Sequence, residues 1–320
     1  MVDLTKIKIN GRYSLADKHL SIYNGGSGFS FKMQGNGFTL KLKSIPVDGY
    51  IYIIIDRNYA DKTKLLISDN ISCLFNDDEP HLVDVVKANE ANDNALEVMD
   101  LIVDGELLDY DFQYKNKVVV YGDSTVAGFG ILSHNGPASI HNCDAVEDLF
   151  FQALYELNMN ADIFSASGYG LAFSAYTCPK NIGVIDFFNR VKVHSDISWN
   201  PNNKNDLLII SLGCNDNSYI QENLRNKDQL IDEFKTKYKK LIDSEVSKNP
   251  DIRILMVYGT LTEVSAYYLY EETYEHLKPF YKNLFIHKFN GDNTAISNHA
   301  FVDAHKQMAE ELKKVIKEIL

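Results

Sequence analysis

The sequence predicts an α/β domain with a parallel sheet, preceded by an all-β sandwich domain. Before about residue 110, apolar segments have the two-residue period of β-strands, and turns rich in Gly, Asn and Asp separate them. Further along, helical stretches alternate with short apolar strands, a pattern typical of parallel sheets with crossover helices. The 320 residues, of which 45% are hydrophobic, suffice for two cores. We therefore predict domains at residues 1–113 and 114–320.

In the first predicted domain, the strands include the segments FSFKMQ, FTLKLKS and YIYIIID. Turns such as NGGSG and QGNG are predicted to separate them, because Gly and Asn adopt the backbone conformations that tight turns require. Another pair of strands is predicted to be joined at Asp104 and Gly105. Since no amphipathic helix is predicted in this part, a β-sandwich is the economical assignment.

In the second predicted domain, short apolar runs alternate with amphipathic stretches. The run at 118–120 is β-branched and uninterrupted, as expected of a strand that is buried on both faces of a sheet. Amphipathic helices are predicted at 145–157, 228–248 and 302–320. The strands are predicted to begin near residues 117, 161, 207, 252 and 283.

Charge and composition narrow the classes of partner. The chain has 32 Lys and Arg against 44 Asp and Glu, a formal net charge of -12 at pH 7. Nucleic acids and anionic membranes attract clustered positive charge, so we predict neither as a partner. No apolar run is long enough to span a bilayer, and the first ten residues lack the hydrophobic core of a signal peptide. We therefore predict a cytoplasmic protein.

The four cysteines are dispersed and form no Cys-x-x-Cys pair, so the sequence predicts neither a structural zinc site nor a disulfide framework. Reduced thiols are expected. The cysteines are Cys73, Cys143, Cys178 and Cys214.

The segment KVVVYGDSTVAGFG predicts a reactive serine. It runs an apolar strand into a turn of small residues that carries Asp123 and Ser124. Gly122 allows a tight turn, and Ser124 is expected to begin a helix whose first N–H groups face a developing oxyanion. Ser124 is therefore the candidate nucleophile. The alternative is a Gly-Asp-Ser loop that only caps a helix.

Three more segments follow in order along the chain. SASGYG contains Gly168, LIISLGCND contains Asn215, and NHAFVDAHKQMAEEL contains His299. The apolar run before Asn215 is typical of a second buried strand, so Asn215 is expected at the same edge of the sheet as Ser124. The alternative for Asn215 is an Asx turn with its polar neighbours.

Together with GDST, these segments make the chain resemble the GDSL/SGNH hydrolase superfamily. The resemblance implies that Ser124 is the nucleophile and His299 the general base. It also implies an oxyanion hole formed by the N–H groups of Ser124 and Gly168 and by the side chain of Asn215. The β-rich first part narrows the resemblance to carbohydrate esterase family two, in which a jelly-roll domain precedes a three-layer α/β/α hydrolase domain. That family implies removal of acetyl groups from sugar hydroxyls, with no cofactor and no metal.

The group that orients the base is open. The last segment holds two histidines, and the family order selects His299 as the base and places His305 in the final helix as a packing residue. The family's aspartate normally stands three residues before the base, where this chain has Ile296. Either a backbone carbonyl or another polar group orients the imidazole, or Asp292 or Asp303 reaches it from another direction. We therefore predict a Ser-His dyad.

Two aromatic residues are candidates for binding the substrate. Trp199, the only tryptophan, could stack on a sugar ring, although packing is the favoured alternative. Tyr267 begins a tyrosine-rich segment after a predicted strand. The sequence thus predicts a serine esterase that deacetylates sugars or oligosaccharides. The alternatives are a carbohydrate-binding protein that has lost activity, and a lysophospholipase or thioesterase on the same scaffold. The oligomeric state is not predicted.

Overall fold

The computed structural model describes residues 5–16, 19–175, 178–201, 204–262 and 264–320. Within this part of the chain, the first strands form a nine-stranded antiparallel sheet, as the period-two pattern predicts. The described residues before 117 contain one 3-10 turn, Tyr59–Asp61, and no α-helix. The strands are β1 (Ile7–Asn10), β2 (Tyr13–Ala16), β3 (His19–Ile22), β4 (Gly28–Pro46), β5 (Tyr50–Ile55), β6 (Thr63–Leu66), β7 (Ile71–Leu74), β8 (Pro80–Lys87) and β9 (Asn94–Leu108).

The long strands β4 and β9 organise this sheet. The turn predicted at QGNG and the strand junction predicted at Asp104 and Gly105 are wrong, because β4 and β9 continue through these residues and pair with each other there. They pair from Lys32 to Pro46 of β4, while β1 and β8 pair with the first part of β4 and β7 with its later part. The β4–β9 register shifts between Gly35 and Gly37, whose φ angles are 134° and 149°. A Cβ on Gly37 would lie 2.2 Å from the Cys73 carbonyl oxygen, so this bulge requires glycine.

The second part of the chain forms a five-stranded parallel sheet in the order β11-β10-β12-β13-β14. Every strand start predicted from the sequence falls within one residue of an observed one. No helix in the described part of the chain is long and apolar enough to cross a membrane. The elements are β10 (Lys117–Gly122), α1 (Leu149–Glu156), β11 (Asn160–Ser165), β12 (Leu207–Ser211), α2 (Cys214–Glu222), α3 (Lys227–Val246), β13 (Arg253–Tyr258), α4 (Tyr267–Leu277), β14 (Leu284–Lys288) and α5 (Val302–Ile319).

Helices cover both faces of the parallel sheet. On one face, alternate strand residues such as Val118 and Val120 share a buried cluster with α1 and α5. On the other face, residues such as Val119 and Leu208 share a cluster with α3 and α4. This burial on both sides explains why the strands are continuously apolar rather than alternating. The carboxyl ends of the strands therefore remain the open edge at which a site can form.

The antiparallel part packs directly on the parallel part. Tyr52 and Val86 belong to the same buried cluster as Phe151 of α1. Asp84 of β8 also accepts hydrogen bonds from Arg57 at 3.2 Å and from the hydroxyl of Tyr155, a residue of α1, at 2.5 Å. The change from antiparallel to parallel strands falls between β9 and β10, and the division into domains at residue 113 remains a prediction.

Candidate active site

Ser124 lies just beyond the carboxyl end of β10. A Cβ on Gly122 would lie 2.1 Å from the Val126 side chain, so only glycine allows the chain to fold back here. The prediction that Ser124 begins a helix is wrong: residues 124–130 form successive turns. Gly128 and Gly130, with φ angles of 68° and 66°, interrupt any helix. Ser124 therefore does not lie at the N-terminus of a helix, and no helix dipole acts on it.

His299 contacts Ser124 directly. Its Nε2 lies 2.8 Å from the Ser124 Oγ. Its Nδ1 lies 3.1 Å from the Ile296 carbonyl oxygen and 3.2 Å from that of Ser297. Because carbonyl oxygens only accept hydrogen bonds, Nδ1 carries the proton and Nε2 accepts from the serine hydroxyl.

The backbone conformation just before His299 brings these two carbonyls to the imidazole. Ser297 and Asn298 have φ angles of 55° and 62°, in the left-handed region that few non-glycine residues adopt. The Ile296 side chain is 5% exposed and packs against Gly130, so only its carbonyl faces the imidazole. Burial lowers the pKa of His299 to about 4, because it disfavours the imidazolium form.

The structure places neither candidate acid against His299. Asp292 Oδ1 accepts hydrogen bonds from the backbone N–H of Phe301 at 3.0 Å and of Thr294 at 3.2 Å. Asp303 lies exposed in the first turn of α5, and its Oδ1 is 3.5 Å from Lys306 Nζ. Of the alternatives left open by the sequence, orientation by backbone carbonyls fits these positions.

The three candidate oxyanion donors lie on separate segments: Ser124 in the turn after β10, Gly168 in the turn after β11, and Asn215 in the first turn of α2. Within the described residues, the N–H groups of Ser124 and Gly168 donate to no protein acceptor. Asn215 Nδ2 donates to Asp123 Oδ2 at 3.3 Å and to the Tyr169 carbonyl at 3.2 Å. This second contact links Asn215 to the residue that follows Gly168. Gly168 itself does not line the cleft that contains Ser124 and Asn215.

Glycine is required at position 168 by both conformation and space. Its φ angle is 82°, and a Cβ there would lie 2.7 Å from Cys178 Sγ.

Two buried carboxylates near the site were given no role in the sequence analysis: Asp123 of the GDS motif and Asp216 of the ND motif. Asp216 accepts hydrogen bonds from the N–H groups of Leu171, Ala172 and Phe173 at 2.7, 2.7 and 2.9 Å. Asp123 accepts from the N–H and the hydroxyl of Thr125, both at 2.9 Å. Burial raises the pKa of each carboxyl to about 6. Asp216 thus fixes the loop that follows Gly168.

Ser124, Asn215 and His299 share one open cleft with a volume of about 300 Å³. Tyr267 does not line it; its hydroxyl donates to the Leu261 carbonyl at 3.3 Å and so supports one wall. Most of the lining side chains carry hydroxyl or amide groups. The remaining lining residues are Asp123, Cys214, Ser218, Leu261, Thr262, Asn293, Ser297 and Asn298.

Trp199 lies elsewhere, and its candidate role in substrate binding at this cleft is not supported. Its indole N–H donates to Asp162 Oδ2 at 3.0 Å, and its ring meets Tyr13 edge-on at 5.3 Å between centroids. Asp162 lies in the first half of β11, away from the carboxyl ends of the strands. Trp199 therefore packs between the two parts of the chain, in line with the favoured alternative. Among the described residues, no group of three or more His, Cys, Asp or Glu is arranged to hold a metal ion.

Comparison with known proteins identifies the fold. Neither a family model nor a curated protein sequence matches the chain. A family two carbohydrate esterase from Clostridium thermocellum, solved in complex with cellohexaose, superimposes with a TM-score of 0.83 at 19% identity, covering 98% of both chains. An acetyl xylan esterase from the rumen bacterium Butyrivibrio proteoclasticus gives 0.83 at 16% identity, covering 99% of this chain and 96% of the other.

A putative GDSL-like lipase from Bacteroides ovatus is less similar, with a TM-score of 0.54 at 16% identity over 92% and 85% of the two chains. The resemblance inferred from the motifs is thus confirmed at the level of the fold, which is that of the family two carbohydrate esterases.

Proposed function

We propose that the protein is a serine esterase that hydrolyses O-acetyl esters of sugars or oligosaccharides. The observation that carries the proposal is the 2.8 Å contact between Ser124 Oγ and His299 Nε2 inside an open cleft. A nucleophile whose hydroxyl proton faces an unprotonated imidazole nitrogen is equipped for acyl transfer. Two backbone carbonyls fix the tautomer, a function that a carboxylate performs in a triad.

In the first half-reaction, Ser124 Oγ attacks the acetyl carbonyl carbon while His299 Nε2 takes the hydroxyl proton. The tetrahedral intermediate then collapses: its bond to the sugar oxygen breaks, and His299 returns the proton to that oxygen. The sugar leaves with a free hydroxyl, and the acetyl group stays on Ser124. The low pKa keeps the resting His299 imidazole neutral at pH 7, which is the form that can accept the serine proton.

In the second half-reaction, His299 removes a proton from water, and the resulting nucleophile attacks the acetyl-serine. Collapse releases acetate and restores the Ser124 hydroxyl with the proton held by His299. In both halves the carbonyl oxygen becomes negative, and the N–H groups of Ser124 and Gly168 and the amide of Asn215 are the proposed donors. No residue in this scheme requires a cofactor.

The proposed substrate class rests on the fold and on the lining of the cleft. The most similar of the structures above are carbohydrate esterases, one of them solved with cellohexaose. Side chains such as Ser218, Thr262 and Asn293 offer hydroxyl and amide groups to a sugar, whereas a long acyl chain needs an apolar tunnel. The antiparallel part would correspond to the jelly-roll domain of that family.

A substrate panel tests the proposal: 4-nitrophenyl acetate, butyrate and octanoate, beside acetylated xylo- and gluco-oligosaccharides. We expect turnover of acetyl esters, with the oligosaccharides preferred. A preference for octanoate would favour the lysophospholipase or thioesterase alternative. Binding of oligosaccharides without turnover of any ester would favour the carbohydrate-binding alternative.

Ser124→Ala tests the nucleophile directly. We expect kcat to fall by about a thousandfold or more with unchanged folding, because the covalent route is lost while the oxyanion donors remain. Mass spectrometry after fluorophosphonate treatment should find the adduct on the peptide that contains Ser124. An adduct on Cys214 or on another serine would refute this assignment.

A further inference from the structure

A short connection from the antiparallel part reaches the loops of the candidate site. It is the segment 88–93 between β8 and β9, here called the β8–β9 connection. The Lys87 side chain is fully buried, and its ammonium group donates to the carbonyls of Asn89 and Glu90. A buried ammonium without such acceptors would be costly, so this pair of contacts fixes the connection in one conformation.

The first half of the β8–β9 connection supports the loop that follows Ser124. Ala145 N–H donates to the Ala88 carbonyl at 2.8 Å, and Asn89 Nδ2 donates to the Ile140 carbonyl at 2.9 Å. The same loop then returns to the serine turn, because Asp144 N–H donates to the Gly128 carbonyl at 2.8 Å.

The second half of the β8–β9 connection supports the loop of Gly168. Glu90 is 8% exposed, and its Oε2 accepts the N–H of Ser167 at 2.9 Å. Ser167 and Gly168 are the two central residues of a turn that is closed by the Tyr169 N–H, which donates to the Ala166 carbonyl at 3.2 Å. Because this turn couples the peptide plane of the Ser167 N–H to the next one, the contact with Glu90 influences the direction of the Gly168 N–H. Burial raises the pKa of Glu90 to about 7, and an acceptor oxygen is present in both its ionised and its neutral form.

We propose that Glu90 is a positioning residue for the oxyanion hole, through which the antiparallel part of the chain sets the orientation of the Gly168 N–H. The inference rests on the proposed esterase function. Glu90 touches neither the reacting ester nor Ser124; it holds the Ser167 N–H and thereby limits the rotation of the next peptide plane. Preorganised donors stabilise a transition state more than a bound ester, so loss of this contact lowers kcat rather than raising KM.

Three variants separate the reach of the side chain from its charge. Glu90→Gln keeps an acceptor oxygen at the same reach but removes the charge. Glu90→Asp keeps the charge but shortens the side chain by one methylene group. Glu90→Ala removes both. The matched control is Asp93→Asn, which changes a half-buried carboxylate in the same connection.

The expected result is a loss of about tenfold to a hundredfold in kcat for 4-nitrophenyl acetate in Glu90→Ala and Glu90→Asp, with KM changed less than about threefold. Glu90→Gln and Asp93→Asn should stay within about threefold of the wild type. Hydrogen-exchange mass spectrometry of the peptide around Ser167 should show faster exchange in the Ala and Asp variants only. Thermal melting checks that each variant is folded.

The proposal is overturned if folded Glu90→Asp keeps wild-type kcat, or if Glu90→Gln loses as much as Glu90→Ala, since charge rather than reach would then matter. If Glu90→Ala does not fold, Glu90→Asp and the exchange measurement decide. Wild-type protein that hydrolyses no ester would overturn the proposed function, whereas unchanged exchange around Ser167 in Glu90→Asp would overturn the positioning role by itself.

Discussion

The two histidines near the end of the chain are close in sequence and both buried, but they have different contacts. His299 follows the left-handed turn before α5 and is 8% exposed, and His305 lies in the first turns of α5 and is 1% exposed. His305 Nδ1 lies 3.1 Å from Asp148 Oδ2, which gives it the carboxylate neighbour expected of a catalytic histidine. His299 contacts no carboxylate in the described structure but meets the Ser124 hydroxyl.

Under the proposed function, this difference means that a carboxylate partner does not by itself identify a general base. His305 and Asp148 meet at the N-terminus of α1, where Asp148 caps the helix by accepting the Phe150 N–H at 2.8 Å. A buried imidazole there packs and satisfies polar groups. In the proposed function the base is His299, the histidine that contacts the Ser124 hydroxyl, and the two backbone carbonyls at its Nδ1 select the tautomer.

The largest expected effect comes from exchanging each histidine for alanine. His299→Ala should reduce kcat about as much as loss of Ser124, roughly a thousandfold, because nucleophile and base act as a unit. His305→Ala should leave kcat within about threefold but lower the free energy of unfolding by about 1–3 kcal/mol, since it leaves buried polar groups at the start of α1 without a partner. Kinetics and thermal melting of both variants measure these effects. Inactive but well-folded His305→Ala would reverse the assignment.

A second test compares the acid tolerance of the base. The pKa of His299 is about 4 because burial disfavours the imidazolium, so the active neutral form persists well below the ordinary histidine pKa of about 6.5. The NMR signal that is missing from His299→Ala should titrate near pH 4, and protonation below that pH should remove activity. A midpoint near 6.5 would show that the imidazole is more hydrated, or closer to an acid, than its contacts indicate.

The smallest effects are expected from the two acids considered for a triad. Asp292→Asn should cost at most about tenfold in kcat, because the amide oxygen can still accept the Phe301 N–H, whereas loss of a true triad aspartate costs about ten-thousandfold. Asp303→Asn, on the exposed face of α5, is the matched control and should have no effect. A loss of several thousandfold in either folded variant would mean that a displaced triad forms during turnover.

The positions of the parallel strands could be predicted to within one residue because each strand is marked by the composition of its own short segment. A strand buried on both faces must be apolar throughout, so β10 and β12 can be recognised in the sequence as uninterrupted apolar runs. The start of α1 was placed four residues too early, because the chain at 145–148 is held in turns by Asp144 and Asp148, and an apolar pattern does not report such contacts. Helix α2 was missed because its sequence, CNDNSYIQE, has little apolar periodicity.

By itself, the sequence determined where the strands of the parallel sheet begin along the chain. It also identified the candidate nucleophile, the candidate base and the candidate donor Asn215, since each lies in a short motif next to a strongly patterned element. Tertiary structure decided what surrounds them: the carbonyls of Ile296 and Ser297 at the imidazole, the packing of Trp199 away from the cleft, and the reach of Glu90 to Ser167. These contacts depend on left-handed backbone turns and on residues far apart in the chain. Periodicity and motifs report only what neighbouring residues impose on one another, so the packing of distant segments had to be seen in the structure.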